Sequence, residues 1–142
     1  MSAEPRLARE HELPVVASLL DEFNKEYDEP SPGPGFLARR LAELSGTDVL
    51  VIGEPICGLA VLRFRRSLWT PGLECYLAEL YVVPVRRGQG LGRSLMEAVL
   101  ERARERGADY IELNTDETDT VARALYESVG FAQTAYYYER EL

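Results

Sequence analysis

The chain has 142 residues, 46% of them hydrophobic and 28% charged, with a net charge of −8 and a pI near 4.8. That length suits one domain around one core, and the acidic balance argues against nonspecific nucleic-acid binding, which needs a surplus of Lys and Arg. No apolar run approaches the ~20 residues of a membrane span and no apolar leader opens the sequence, so a cytoplasmic protein without a membrane partner is expected. His11 is the single histidine, which leaves little for histidine metal sites or Ser-His triads, and no metal is expected. Cys57 and Cys75 lack metal spacing and read as buried thiols.

In chain order, Met1 to Glu10 reads as a short strand around Arg6-Leu7-Ala8. From Glu12 to about Tyr27, Val15 or Val16, Leu19, Leu20 and Phe23 recur at helix spacing. Pro30 to Gly35, PSPGPG, reads as a loop, and Phe36, Leu37, Leu41 and Leu44 give a second helix ending at Gly46. Asp48–Ile52 and Ile56–Phe64 read as a strand pair around Gly53-Glu54-Pro55, with Gly58 a candidate bulge. A second turn over Ser67–Gly72 carries Trp69, and Leu73–Val83 is the next strand. Pro84 stops it, and the basic, glycine-rich loop Arg86-Arg87-Gly88-Gln89-Gly90-Leu91-Gly92 follows. An amphipathic helix then presents Leu91, Leu95 and Val99, with arginines in its last turns and Gly107 at its end. Asp109–Leu113 reads as a buried parallel strand, 120–129 as a helix with Val121, Leu125 and Val129 inward, and Phe131–Glu139 as a final strand. The order β-α-α-β-β-β-α-β-α-β predicts an α/β (α+β) fold, a mixed sheet with helices on both faces.

A strand, a glycine loop and a helix N-terminus together make an anion site, because the first helical N–H groups have no acceptor within the helix. Arg86, Arg87 and Arg93 add charge there. A dinucleotide turn would need G-x-G-x-x-G and an acid about 20 residues on. Asp109 or Glu112 could serve as that acid, but the spacing here is G-x-G-x-G and Leu95 stands where the third glycine belongs.

Val82-Val83-Pro84 followed by Arg87-Gly88-Gln89-Gly90-Leu91-Gly92 resembles the acetyl-CoA motif of the GCN5-related N-acetyltransferases, V-x-P-x-x-R/Q-x-x-G-x-G/A. Downstream, Ala122-Arg123-Ala124-Leu125-Tyr126-Glu127-Ser128-Val129-Gly130-Phe131 is similar to that family's A-x-x-L-Y-E-x-x-G-F segment. The resemblance covers about Asp48 to Phe131. It implies that the strand before the glycine loop splays from the strand after the helix. It also implies that main chain at Leu80, Tyr81 and Val82 holds the pantetheine arm. Arg87, Gly88, Gln89, Gly90, Leu91, Gly92 and Arg93 would hold the pyrophosphate, with Asn114, Asp119 and Tyr126 completing the acetyl-CoA site. Asp119 stands where many members carry asparagine, so an amide donor is missing there.

The implied activity is transfer of an acetyl group to a primary amine. An alkylamine of pKa ~10.4 costs roughly 4–5 kcal/mol to deprotonate at pH 7, whereas the leaving thiol, at ~8.5, costs far less. Handling the amine proton should therefore matter more. The resemblance makes Tyr126 the candidate acid for the thiolate, and Glu79 is the candidate base, directly or through water, with Asp116 and Glu117 in reserve. The oxyanion donor is expected to be the N–H of Tyr81 or Val82. Cys75 as an acyl carrier has no histidine to activate it and reads as a core thiol.

In the family, the first two helices shape one wall of the acceptor pocket, and here they carry Asp21, Glu22, Glu26, Asp28 and Glu29. These form either a rim for a small cationic amine or basic peptide, or a solvated helix face. Trp69 is either an aromatic wall or an anchor elsewhere. A shortened end of the sheet suggests an edge that a second subunit covers, giving a homodimer. A non-catalytic CoA-binding sensor on the same fold is the alternative function, and a nucleotide-dependent oxidoreductase is a third.

Overall fold

Thr47–Ile52 reads TDVLVI, with no polar alternation, as a strand covered on both faces does. In the computed structural model, which describes residues 4–142, it is a strand of a five-stranded sheet. The elements are β1 (Arg6–Leu7), α1 (Leu13–Glu26), α2 (Pro34–Glu43), β2 (Thr47–Ile52), β3 (Gly58–Arg66), β4 (Leu73–Val82), α3 (Leu91–Glu105), β5 (Ala108–Glu112) and α4 (Thr120–Ser128). The strands lie in sequence order across the sheet. The first four pair antiparallel, and β5 joins β4 in parallel after the α3 crossover.

Alternate residues of β2 enter different cores. Leu50 and Ile52 pack with Leu91, Leu95, Met96 and Val99 of α3. Val49 and Val51 pack with Val16, Leu19 and Leu20 of α1. Helices on both faces therefore follow from strands that have no polar side, and the expected mixed α/β architecture is the one observed.

Several local expectations are corrected. Pro34 and Gly35 form the first turn of α2, where proline gives up no helical hydrogen bond. Gly58 is no bulge: it pairs in register with Ile52 and Val82, and is small because a Cβ would lie 2.9 Å from Ile52 Cγ2. The bulge falls at Ala78 instead, since Val61 faces Glu79 while Leu62 faces Leu77. β5 is not buried, with Asp109 and Tyr110 exposed, and Val121 points to solvent. Among the described residues, no strand forms over 131–139, and Tyr136, Tyr137 and Tyr138 are exposed. Strand-type side chains favour a pleated surface only when a neighbouring edge pairs with them, and no ladder reaches this segment. The expectation for residues 1–3 lies outside the described residues.

Candidate active site

β4 and β5 pair only from Leu73 and Ala108 to Tyr76 and Glu112. β4 then runs on to Val82, held by β3 on its other side. From Leu77 onward the β5-facing edge of β4 is unpaired among the described residues, and the Ala78 bulge sits where the separation begins. A cleft of about 780 Å³ opens there. Its walls are the free part of β4, the glycine loop, Leu113–Asp116, α4 at Asp119 and Tyr126, and α1 at Phe23 and Tyr27.

Gly88 and Gly90 have φ of 76° and 80°, a region that glycine adopts without penalty. Gly90 caps α3, and the first helical bond runs from Ser94 N–H to the Gly90 carbonyl. The amides of Arg86 and Arg87 donate to the Val83 and Pro84 carbonyls. The Arg87 amide, expected in the anion site, is thus occupied, and the open row of amides runs from Gly88 to Arg93 among the described residues.

The loop's side chains mostly bind the protein itself. Arg86 Nε donates to Gln89 Oε1 at 3.1 Å, and Gln89 lies outside the cleft wall. Arg93 donates to Ser128 Oγ at 3.0 Å and pairs with Glu97. Arg87 is committed to Glu26 and to the Val82 carbonyl. An anion here meets backbone amides and a helix terminus first, with the arginines as a surrounding field.

Glu79 and Tyr126 face this cleft together. Glu79 is exposed within the cleft, yet enough protein surrounds it that desolvation raises its pKa above the ordinary carboxylate value. Tyr126 is half-buried, and its pKa is pushed up to about 12, first by burial and then by the charges of Asp119, Glu79 and Tyr27. The reserve acid Asp116 is different. Its Oδ1 accepts from the Thr118 amide at 2.9 Å and the Thr118 hydroxyl at 2.7 Å, and these bonds lower its pKa. Glu117 is not on the cleft wall. Asp119 Oδ1 accepts from the Ala122 amide at 3.0 Å, so the residue standing in place of asparagine caps α4.

Asn114 reaches the cleft and donates to the Tyr76 hydroxyl at 2.8 Å. Cys75 is buried with its pKa raised to about 11, which keeps the thiol protonated, as a core thiol should be. Trp69 and His11 are exposed and away from the cleft. The acidic segment divides: Asp21 is buried against Ser31 and Lys25, Glu26 pairs with Arg87, and Glu22, Asp28 and Glu29 face solvent. The sequence reading missed the aromatic wall of Phe23 and Tyr27; their i, i+4 spacing at the end of α1 was the available signal. Among the described residues, no cluster of three His, Cys, Asp or Glu side chains is arranged to hold a metal, and no helix is long and apolar enough to cross a membrane.

The fold and site define a class of α/β proteins with a parallel strand pair split open beside a glycine loop. The profile of the acetyltransferase (GNAT) family matches residues 9–131. A crystal structure from Arthrobacter sp. FB24, provisionally described as an acetyltransferase, superposes with a TM-score of 0.88 at 42% identity, over 97% of this chain and 95% of that one. Mycothiol acetyltransferase of Thermobispora bispora is 46% identical over 122 residues, 80% of this chain and 36% of its own length. Thialysine N-epsilon-acetyltransferase of Bos taurus is 33% identical over 82 residues, 55% of this chain and 48% of its own. The chain thus spans between a third and a half of the length of these two curated relatives. It belongs to the acetyltransferase (GNAT) family.

Proposed function

We propose that the chain is an acetyl-CoA-dependent N-acetyltransferase that acetylates a primary amine of a small, cationic acceptor by direct attack in a ternary complex. The observation that carries this reading is the meeting, in one cleft, of an unpaired strand edge, a row of free amides and the pair Glu79 and Tyr126. The amides of Gly88 to Arg93 suit a pyrophosphate. The open edge of β4 presents the main chain of Leu80 and Val82, with Tyr81 turned to β3, and it suits the amide-bearing pantetheine arm, which would lie on it like an added strand. That arrangement carries the thioester towards the Ala78 bulge, between Glu79 and Tyr126.

Glu79 is the base in this reading, because its raised pKa makes it a better proton acceptor than Asp116, whose carboxylate is already stabilised by Thr118. The amine nitrogen attacks the thioester carbonyl, its proton passes to Glu79 directly or through water, and the C–S bond breaks. Tyr126 stays protonated at neutral pH and donates to the departing sulfur. Complete transfer from a phenol near 12 to a thiolate of ~8.5 is uphill by roughly 5 kcal/mol, so its part is a hydrogen bond to the developing charge. The Val82 amide, which faces the open edge, is the oxyanion donor in this reading; the Tyr81 amide, the other candidate, faces β3, because main-chain groups alternate sides along a strand.

The acceptor's charge is matched by Glu79, Asp116 and Asp119 inside the cleft, with the aromatic side chains of Phe23 and Tyr27 also lining it. The relative named for the N-epsilon position of thialysine supports an amine at the end of a side chain. Saturating CoA should raise the melting temperature, by about 2.7 kcal/mol of stabilisation at a hundredfold excess over Kd. CoA release should then follow with at least one cationic primary amine. Binding without release on any amine would instead favour a sensor, and stabilisation by NAD but not CoA an oxidoreductase.

The reading includes a homodimer. The outer edge of β5 is unpaired among the described residues, and such an edge is a template for a second chain. Light scattering at micromolar concentration should give twice the chain mass, and a monomer mass removes this part.

A further inference from the structure

Three of the five guanidinium N–H donors of Arg87 are bonded, along two edges of the group. Nη1 and Nη2 donate to Glu26 Oε2 and Oε1 at 2.8 and 2.9 Å, and Nε donates to the Val82 carbonyl at 2.9 Å. The Tyr81 hydroxyl donates to Glu26 Oε1 at 3.3 Å, and the guanidinium lies 5.6 Å from the centroid of the Tyr81 ring. That ring stacks on Phe23 at 4.8 Å, and Phe23 meets Tyr27 edge-on at 5.4 Å. The last turn of α1, the end of β4 and the glycine loop are therefore tied through one ion pair. The side chains that tie them continue into the aromatic wall of the cleft.

We propose that Glu26 is a positioning residue for the glycine loop, acting through Arg87, whose guanidinium is a strut between α1, β4 and the loop rather than a ligand of the pyrophosphate. This deepens the reading above and rests on CoA binding at that loop. To turn its two-pronged Nη1–Nη2 face to a phosphate, Arg87 would have to release the bidentate Glu26 carboxylate, the bonding that its planar fork fits best. The loop also needs a strut. Gly88 and Gly90 have positive φ, and among the described residues nothing lies within 4 Å of the position either Cβ would take, so packing does little to hold them. Fixing the residue immediately before them orders the amides before the ligand arrives and lowers the entropic cost of binding.

The two roles for Arg87 give opposite signs. If Arg87 grips phosphate, Glu26 competes for it and Glu26→Gln tightens CoA. If Arg87 is a strut, Glu26→Gln loosens CoA. Calorimetric Kd values for CoA with wild type, Glu26→Gln, Arg87→Lys and the double variant separate them. Each single change should weaken binding roughly tenfold, the scale of one lost charge-assisted hydrogen bond, and the double should be no weaker than either single. The melting temperature should move little, because a partly exposed ion pair adds little to global stability. KM for the acceptor should rise with that for acetyl-CoA, since Phe23 and Tyr27 share the tie, while kcat changes less than twofold. If Glu26→Gln does not fold, Tyr81→Phe, which removes only the hydroxyl contact to Glu26, should shift Kd in the same direction by less. Unchanged or tighter binding in Glu26→Gln, or losses that multiply in the double variant, overturns the strut alone. Wild type that does not bind CoA overturns the proposed function and the strut with it.

Discussion

Glu79→Gln should lower kcat/KM for the amine by roughly 10²–10⁴-fold, the range for loss of a positioned general base. The amide keeps the shape and a hydrogen bond but cannot accept the proton, whose removal is the costlier half of the reaction. The effect has a pH signature. Burial raises the Glu79 pKa above its ordinary 4.5, so the ionised base is lost as pH falls through that raised value. The limb of kcat/KM due to Glu79 should therefore lie above pH 4.5 in wild type and be absent from the variant, which keeps only the rise toward the amine's own pKa of ~10.4. Stability should move the other way. A carboxylate whose folded pKa is raised favours folding only while protonated, and that contribution is gone once pH passes the folded pKa. At neutral pH the ionised Glu79 thus opposes folding, and Glu79→Gln should melt no lower than wild type. An inactive variant that also melts early would point to damage rather than to a lost base.

Tyr126→Phe should lower kcat by about 10²-fold with little change in KM for acetyl-CoA, because in the proposed mechanism the hydroxyl acts where charge develops on sulfur. Phenylalanine keeps the edge-on contact with Phe131, 6.2 Å between centroids, so packing survives while the donor is lost. Replacing the natural leaving group by a thioester whose thiol has a lower pKa should shrink the penalty, since a better leaving group needs less help. An unchanged turnover number would remove Tyr126 from the chemistry and leave it a packing residue between α4 and the core.

Much of the site is legible in local pattern. Glycines 88 and 90 announce a loop that needs positive φ, the amphipathic run from Leu91 announces the helix whose terminus faces it, and Pro84 ends the strand before it. Residues whose partners are distant are less legible. Asp21 and Glu26 look alike on paper as rim acids, but one is buried against Ser31 and the other is paired with Arg87, 61 residues away. Arg87 looks like a phosphate ligand by position, and its bonds to Glu26 and the Val82 carbonyl are not legible there. Phe23 reads as core from helical spacing and does pack on the buried Tyr81, but spacing alone does not show that it also lines the cleft.

What the sequence by itself determined is the order of helices and strands as far as α4 and the amide-rich turn before α3. Each depends on residues within a few positions of one another, through backbone preference and apolar spacing. Only the tertiary structure decided the bulge at Ala78, the end of the β4–β5 ladder after Tyr76, the clasp of Glu26 on Arg87 and the absence of a ladder at 131–139 among the described residues. These depend on which edges and charges come to face one another, and that is set by how the two cores pack around the sheet.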